Sequence, residues 1–267
     1  MNRYLGMINN FLFDPKIRFG YLSTIGFYNW MSDEQFLKKE YFLQMGKKLN
    51  LNDPKTFNEK LQWLKIHNRK PEYTTMVDKY AAKQYVADRI GERYIIPTLG
   101  VWEHFDDIDF DNLPNQFVLK CTHDSGGIVI CRDKSKLDKK AAKKKLEYYL
   151  RRKYYYIHRE WPYKNVPKRI IAEQYLSNDE KSDELSDYKV LCFNGEPKLI
   201  EIHRGRFSGH HTQDFYDVNW NKTEFEQPED PLSDEIMKKP VFADKMLELS
   251  RTLAENIPHV RIDWYYT

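Results

Sequence analysis

The sequence lacks the long apolar runs of membrane proteins. No run approaches the roughly 18 apolar residues of a membrane-spanning helix, so we expect no transmembrane segment. The N-terminal stretch MNRYLGMINNFLF is interrupted by polar residues, and no small-residue cleavage signal follows it, which argues against a signal peptide. A contact of this stretch with the inner face of the membrane is an alternative that the sequence leaves open.

Cysteines are also few, and neither sign of charge is in large excess. The three cysteines form no C-x-x-C pair and their number is odd, which favours a reducing, cytoplasmic compartment over a disulfide framework. The 43 Lys and Arg residues nearly balance 40 Asp and Glu residues, and the net charge of +3 does not indicate a nucleic-acid partner. Hydrophobic residues make up 41% of the chain and aromatic residues 15%, which is enough for a substantial core and argues against disorder.

Helical signals fill the first part of the chain. Ser32 with Gln35, and Thr56 with Glu59, form two capping boxes, and apolar residues follow each of them at helical spacing. The sequence therefore predicts a helical N-terminal region over residues 1–77.

A third helix is predicted to begin at its capping residue, Asp78, and to stop at Gly91. Lys79 and Lys83 are one turn apart, so we expect them to share a face of this helix. Lys79 would then be either a solvated helix lysine or a ligand of a nucleotide phosphate.

Strand signals dominate after about residue 95. Strands are predicted for 117–121, 128–131, 169–176, 187–193, 198–204 and 259–266. Asn194-Gly195 is a strong signal for a two-residue hairpin, and hairpins outnumber strand–helix–strand units. A basic helix is predicted from Ser135 to about Lys153, and a last helix over 242–256. The predicted fold class is α+β.

The first candidate site follows strand 117–121. Alternation along that strand sends Lys120 to the face opposite Phe117 and Leu119. The loop THDSGG comes next, and its two glycines permit a close backbone approach. A lysine beside a loop of N–H groups suits a phosphate, whereas a hairpin turn with an exposed lysine explains the same residues.

Glu173 is a second candidate because it lies in a strongly apolar strand. An unpaired carboxylate there would cost several kcal/mol. Either a salt bridge within the sheet or a donor group of a ligand, such as an adenine amino group, would satisfy it.

The last predicted strand carries a third candidate. Its alternation places Arg261, Asp263 and Tyr265 on one face. A carboxylate beside an arginine suits Mg²⁺ with phosphate, because the Asp ligates the metal and the Arg neutralises oxyanion charge. A structural ion pair accounts for the same spacing equally well.

Two weaker patterns concern acidic and basic runs. Asp107, Asp109 and Asp111 form the D-x-D triplets of metal-dependent glycosyltransferases, but no apolar strand ends before them, and a solvated loop is favoured. The basic run 134–153 is typical of a solvated helix face, with an anionic polysaccharide or a nucleic acid as the alternative ligand.

A possible histidine cluster is the last pattern. His203, His210 and His211 with Glu201 contain potential zinc ligands. No compact i, i+4 spacing joins them, so a zinc site is not favoured.

Taken in order, the main segments resemble the ATP-grasp superfamily. The matching positions are D-K-x-x-x-K at 78–83, Lys120 with its glycine loop, E-x-x-L at 173–176 and R-x-D at 261–263. The sequence is most similar to the teichuronopeptide-biosynthesis (TupA-like) ATP-grasp family, through DPKTFNEKLQWLK, DKYAAKQYV, LPNQFVLK, REWPYKN, DYKVLCFNGEPK and DFYD. The resemblance covers about residue 30 to the end.

This resemblance implies an ATP-grasp fold in which two α+β subdomains, over 78–168 and 169–267, hold a nucleotide between them. It implies ATP and Mg²⁺ as cofactors. The residues implied to bind the nucleotide are Lys79, Lys120, His123, Ser125, Gly126, Gly127, Glu173, Gln174, Leu176 and Lys189. Arg261 and Lys120 are implied to be catalytic, and Asp263 to bind the metal.

The implied activity is an ADP-forming ligase that joins a carboxylate (a uronic acid or an amino acid) to an amine through an acyl-phosphate, in the biosynthesis of capsule or teichuronopeptide-type polysaccharide. A glycosyltransferase of surface polysaccharide assembly and a non-catalytic nucleotide- or polysaccharide-binding module are the alternatives. The family draws a Glu and an Asn or Thr of its metal site from the strand after R-x-D. Because the sequence stops at Thr267, we expect an apparently truncated C-terminal end, an incomplete metal site and low turnover.

Overall fold

The structure is a computed structural model and describes residues 11–176, 187–204, 211–227 and 230–266. The contacts divide the chain into two compact units. Unit one comprises Met1–Tyr85 and Ile96–Gln174, and unit two comprises Val86–Ile95 and Tyr175–Thr267. Each unit holds one four-stranded antiparallel sheet with helices, so the predicted α+β class is confirmed.

The first helices are α1 (Pro15–Thr24), α2 (Asp33–Met45), α3 (Phe57–His67), α4 (Glu72–Val77) and α5 (Ala81–Ile90). Both predicted capping boxes are present, and the hydroxyls of Ser32 and Thr56 each accept the expected N–H at 3.3 Å. The helices enclose a small core around Phe36 and Leu37, neither of which is exposed.

Helix α5 starts three residues later than predicted. The Asp78 carboxylate accepts the N–H of Tyr80 at 3.0 Å, and the first helical residue is Ala81. Lys79 therefore lies in the turn before the helix, and the prediction that it shares a helix face with Lys83 is wrong. The helix ends at Ile90, beside Gly91 as predicted.

The sheet of unit one, sheet one, contains β1 (Thr98–Trp102), β2 (Phe117–Cys121), β3 (Ile128–Cys131) and β4 (Ile170–Gln174) in the order β1-β4-β2-β3. Helix α6 (Lys139–Arg151) packs Ala142 and Leu146 on the buried face of β2, and the short α7 (Tyr155–His158) follows it. Because this face takes Phe117 and Leu119, Lys120 lies on the opposite face, as the alternation predicted.

The sheet of unit two, sheet two, contains β5 (Asp187–Phe193), β6 (Glu196–Arg204), β7 (Thr212–Asp217) and β8 (His259–Tyr265) in the order β7-β6-β5-β8. The predicted hairpin joins β5 to β6, with φ of 50° at Asn194 and 82° at Gly195. Helix α8 (Ala243–Ala254) covers one face, where Val190 and Ile202 are fully buried. Short 3₁₀ turns lie at Glu92–Tyr94, Phe105–Asp107, Lys134–Lys136 and Trp161–Asn165.

The division into 1–77, 78–168 and 169–267 stays a prediction. The structure groups strand β4 with sheet one, whereas that division assigned residues from 169 onward to the second subdomain. In the described part of the chain, no helix has the length and apolar character that crossing a bilayer would require.

All three cysteines are buried and carry free thiols. Burial raises the pKa of Cys121 to about 12 and that of Cys192 to about 12. The thiolate is therefore strongly disfavoured at neutral pH in both sheets.

Candidate functional site

In unit one, Glu173 joins lysines from two different elements. It is 5% exposed on β4. Its Oε1 lies 2.6 Å from Nζ of Lys83 on α5, and its Oε2 lies 2.6 Å from Nζ of Lys120 on β2. Of the two alternatives that the sequence left open, the salt bridge is the one present in the structure. A role of Glu173 toward adenine stays a prediction.

The charge around Glu173 is positive in excess. Burial acts to raise the pKa of this carboxyl, but the two lysines outweigh burial and the pKa is lowered. Lys79 lies near Lys120, and its pKa is lowered first by burial and then by that neighbouring charge. Three partly buried lysines that share one carboxylate, with the pKa of Lys79 lowered, form a favourable environment for an anion.

Lys79 connects this group to the glycine loop, which we define as residues 122–127. Its Nζ donates to the carbonyl of Asp124 at 2.5 Å, and its backbone N–H donates to the carbonyl of Thr122 at 3.2 Å. Lys79 and the loop that follows Lys120 are thus in direct contact, as a shared phosphate site requires.

The two glycines of the loop are fixed by different constraints. Gly126 has a φ of 99°, which favours glycine. A Cβ added to Gly127 would lie 2.9 Å from the Cys121 Sγ and 2.9 Å from the Tyr149 Cβ. Packing on α6 therefore demands a glycine at position 127 whether or not a ligand binds.

Gly127→Ala is expected to lower the free energy of unfolding by about 1 to 3 kcal/mol, because the new methyl group overpacks the junction between the loop and α6. Gly20→Ala is the matched control: its Cβ meets nothing within 4 Å on helix α1, so it should stabilise by up to about 1 kcal/mol. Urea unfolding of both variants checks the difference. Equal effects would show that the loop relaxes around the added carbon.

Two buried ionisable side chains support the loop, and the sequence singled out only His123. His123 Nε2 donates to the carbonyl of Arg152 at 3.3 Å, and Asp124 Oδ1 lies 3.3 Å from NH1 of Arg152. The His123 Nδ1 and the Asp124 Oδ2 are buried without a hydrogen-bond partner. Burial lowers the pKa of His123 to about 4, so its ring is neutral at pH 7. Ser125 is exposed beside them.

Burial raises the pKa of Asp124 to about 6, against the partial opposition of Arg152 and Lys79. The folded state then holds this proton more tightly than the unfolded state, so the carboxyl costs stability as the pH rises through about 6. The free energy of unfolding of Asp124→Asn, relative to that of the native chain, should therefore increase by roughly 2 kcal/mol as the pH is raised from 5 to 8. Thermal unfolding at several pH values measures this change. A difference that does not vary with pH would contradict the buried carboxylate.

In unit two, the face of sheet two opposite α8 carries paired charges. Lys189 is 3% exposed and lies in register with Glu201 on β6 and Asp263 on β8. Its Nζ is 2.8 Å from Oδ2 of Asp187 and 3.8 Å from Oε1 of Glu201. Both neighbouring carboxylates therefore balance its charge, and its predicted contact with a phosphate stays a prediction.

Arg261 and Asp263 form a bidentate pair on the same face of β8. The Nε–Oδ1 distance is 2.8 Å and the NH2–Oδ2 distance is 3.0 Å. The side chains are 47% and 43% exposed, so both remain accessible to a ligand. An ion pair this exposed adds only about 0 to 1 kcal/mol to stability, so the fold depends little on it.

A relay of hydrogen bonds crosses the edge of sheet two. Glu201 contacts Nε2 of His203, the Nδ1 of His203 lies 2.9 Å from Nε2 of His211, and the Nδ1 of His211 lies 2.8 Å from Asp230. The fold thus brings potential ligand atoms of His203, His211 and Asp230 within 4.8 Å of one another, which their sequence spacing did not indicate. His210 lies outside the described residues.

The remaining predicted residues follow β4. The Gln174 N–H donates to the carbonyl of Pro97 at 3.0 Å, and Leu176 is half-buried just beyond the strand. Their backbone contacts with adenine stay predictions. Asp263 offers one exposed carboxylate, and Mg²⁺ is commonly held by one or two carboxylates together with substrate phosphates, so this residue fits the ion.

Known proteins resemble this chain over most of its length. A family model described as TupA-like ATPgrasp matches residues 59–267. No curated protein matches the chain significantly.

Similar solved structures are ligases. The D-alanine–D-alanine ligase from Bacillus anthracis complexed with ATP shares 14% identity, with 72% of this chain and 51% of that chain covered and a TM-score of 0.43. A second structure of that ligase shares 17% identity, with 72% and 53% covered and a TM-score of 0.42. The ATP-grasp ligase PsnB, complexed with minimal precursor, Mg and ADP, shares 12% identity, with 78% and 52% covered and a TM-score of 0.36. The chain spans about half the length of these proteins.

Proposed function

Because the chain belongs to the TupA-like ATP-grasp family, we propose that it is an ATP-dependent, ADP-forming ligase that couples a carboxylate to an amine. In this reaction the carboxylate oxygen attacks the γ-phosphorus of ATP and ADP leaves. The amine nitrogen then attacks the carbonyl carbon of the acyl-phosphate, inorganic phosphate leaves as that C–O bond breaks, and the nitrogen loses a proton as the amide forms.

The observation that carries this proposal is the charge balance around the glycine loop. The connected cations are Lys79, Lys83, Lys120 and Arg152, and the connected carboxylates are Glu173 and Asp124. Four cations against two anions leave an excess of positive charge in a partly buried place. A nucleoside triphosphate carries the negative charge that would balance this excess. Lys120, which strand β2 holds in place, would donate a hydrogen bond to one of its phosphate oxygens.

The residues have separate proposed roles. Lys79 and Lys120 neutralise phosphate oxygens as charge shifts toward ADP. Residues 123–127 of the glycine loop cover the phosphates. Arg261 stabilises the oxyanion charge of the acyl-phosphate. Asp263 would hold Mg²⁺ together with the ATP phosphates, and the ion would supply charge neutralisation during phosphoryl transfer.

We also propose the substrate class and the setting. A uronic acid or an amino acid is the proposed carboxylate, in the biosynthesis of cell-surface polysaccharide, and the support is the resemblance to the TupA-like family. The proposed compartment is the cytoplasm, which supplies ATP and keeps thiols such as the three free cysteines reduced.

The proposal is tested by ligand stabilisation and by product release. ATP with Mg²⁺ is expected to raise the melting temperature in a saturable manner, and UDP-sugars are not. ADP release on addition of candidate carboxylates and amines then separates a ligase from a nucleotide-binding module. If a UDP-sugar raised the melting temperature and ATP did not, the ligase proposal would be wrong and the glycosyltransferase alternative would be favoured.

Arg261→Gln is expected to lower ADP formation by about a hundredfold or more, because one charged donor to the developing oxyanion is lost. The free energy of unfolding should change by less than about 1 kcal/mol, since the pair with Asp263 is exposed. Arg251→Gln is the matched control on unit two, because Arg251 makes a similar exposed pair with Glu196 at 3.0 Å. Equal turnover of the two variants would show that Arg261 takes no part in the reaction.

A further inference from the structure

An apolar stripe is exposed along helix α1 in unit one. Phe13, Ile17, Tyr21 and Ile25 recur every fourth residue, and they are 77%, 46%, 57% and 61% exposed. Ile17 and Tyr21 lie one turn apart on α1 and therefore share one face of the helix. Phe13 precedes the capping residue Asp14, and Ile25 is the residue at which the helix ends, so these two extend the exposed apolar surface beyond both ends of the helix.

Helix α1 is packed against the core on its other side, and exposed apolar residues continue in the turn after it. Phe19, on the opposite side of α1, is 4% exposed and contacts the Phe36 ring at a centroid distance of 5.0 Å. The turn after α1 adds Phe27 and Trp30, which are 58% and 75% exposed. The core therefore holds α1 in place while its outer face presents large apolar side chains to solvent.

A cationic cavity of about 880 Å³ adjoins the end of this stripe. Ile25, Gly26 and Asn29 form one wall, and the facing wall comes from α6 and the residues after it. The cations in that facing wall are Lys140, Lys143, Lys144, Arg151, Arg152 and Lys153, with Glu147 the one carboxylate of the described lining.

Several of these cations are available to a ligand. Lys140, Lys144 and Lys153 are exposed, and no carboxylate in the described part of the chain pairs with them. Lys143 and Arg151 do have acidic partners, Asp106 and Glu147 respectively. The three lysines lie along one wall of the cavity, and the exposed apolar side chain of Ile25 belongs to the facing wall.

We propose that the apolar stripe and the cationic cavity together form a docking face for a membrane surface rich in anionic phospholipid. The stripe enters the boundary between headgroups and acyl chains, and the cavity lysines bind headgroup phosphates. Charge selects this occupant, because a second copy of the chain would bring the same lysines against each other. The cavity shares Arg152 with the glycine-loop site, and the variants that test the docking face leave Arg152 and the residues proposed to bind nucleotide unchanged.

The test is co-sedimentation of the full chain with phosphatidylcholine vesicles, with and without about 30% phosphatidylglycerol. We expect binding to the anionic vesicles, weak binding to the neutral ones, and a decrease in binding as salt rises. Each lysine near an anionic surface strengthens binding about fivefold, so Lys140→Gln/Lys144→Gln/Lys153→Gln should weaken it by about a hundredfold. The matched control replaces three other exposed lysines of unit one, Lys47, Lys48 and Lys60, by glutamine.

The apolar half is tested separately. Phe13→Ser/Tyr21→Ser/Trp30→Ser should weaken vesicle binding at least about tenfold, since all three side chains are exposed and their loss opens no core. The control replaces exposed apolar residues of unit two, Phe225, Ile236 and Val241, by serine. Circular dichroism confirms that each variant is folded.

Three outcomes overturn the proposal. The first is an absence of binding to anionic vesicles. The second is an equal loss in the control variants, which would show diffuse charge or general stickiness. The third is a dimer in sedimentation velocity that the stripe variant abolishes while vesicles are not bound, which would assign the face to a second copy of the chain.

Discussion

Replacing Lys120 by alanine is expected to weaken ATP binding by about 10- to 100-fold. The side chain is placed by strand β2 beside the glycine loop, and its Nζ is held 2.6 Å from Glu173 with protons left for a phosphate oxygen. A hydrogen bond to a charged group contributes about 1.5 to 3 kcal/mol, which sets this range. Calorimetric titration with ATP and Mg²⁺ measures the dissociation constant.

Lys140→Ala is the control, because it removes the same charge from the exposed face of α6. Its ATP affinity should stay within about twofold of the native chain. Equal losses in the two variants would mean that ATP responds to diffuse charge and that Lys120 has no placed role. Unfolding of both variants without nucleotide separates a binding defect from a folding defect.

The second large effect is expected at Glu173. Glu173→Gln removes the buried carboxylate that two lysines share and leaves both cations without their acidic partner. Loss of one member of a buried ion pair costs about 3 to 5 kcal/mol, and the lysines keep 15% and 22% exposure, so we expect about 2 to 4 kcal/mol. Glu34→Gln, which breaks an exposed helix pair with Lys38, should have little effect.

The pH dependence distinguishes this mechanism from a packing defect. The lysines lower the pKa of Glu173, so its stabilisation is fully present above its unfolded pKa and is lost as the pH falls through the folded pKa. The difference in unfolding free energy between the native chain and Glu173→Gln should be constant from pH 6 to pH 8 and shrink below about pH 4. A constant difference at all pH values would point to altered packing.

Local signals in the sequence predicted most of the fold. The strands Phe117–Cys121 and Ile128–Cys131 were predicted with their observed bounds, because alternating apolar runs end at a glycine-containing turn. Strand Thr98–Trp102 and strand Thr212–Asp217 were not predicted. Their sequences, TLGVW and TQDFYD, contain glycine or acidic residues that disfavour strands, and pairing with neighbouring strands overrides that preference.

The sequence indicated those site residues whose chemical type differs from that of their neighbours along the chain. Lys120 and Glu173 were visible as charges within apolar strands. Asp124, Arg152 and Asp230 were not singled out, because each looks like an ordinary polar residue until tertiary contacts bury it or bring it to a partner. Sequence spacing also could not show that Lys79 lies before helix α5, since the Asp78 side chain sets the first turn.

The buried thiols make the two sheets separately observable. Cys121 and Cys131 lie in unit one and Cys192 lies in unit two, and burial raises the pKa of each thiol, which disfavours its reaction as a thiolate while its sheet is intact. Alkylation in mild denaturant, followed by peptide mass analysis, would therefore time the opening of each sheet from one sample. Adding ATP should then slow the labelling of the sheet that the nucleotide stabilises, so the native cysteines report which unit binds ATP.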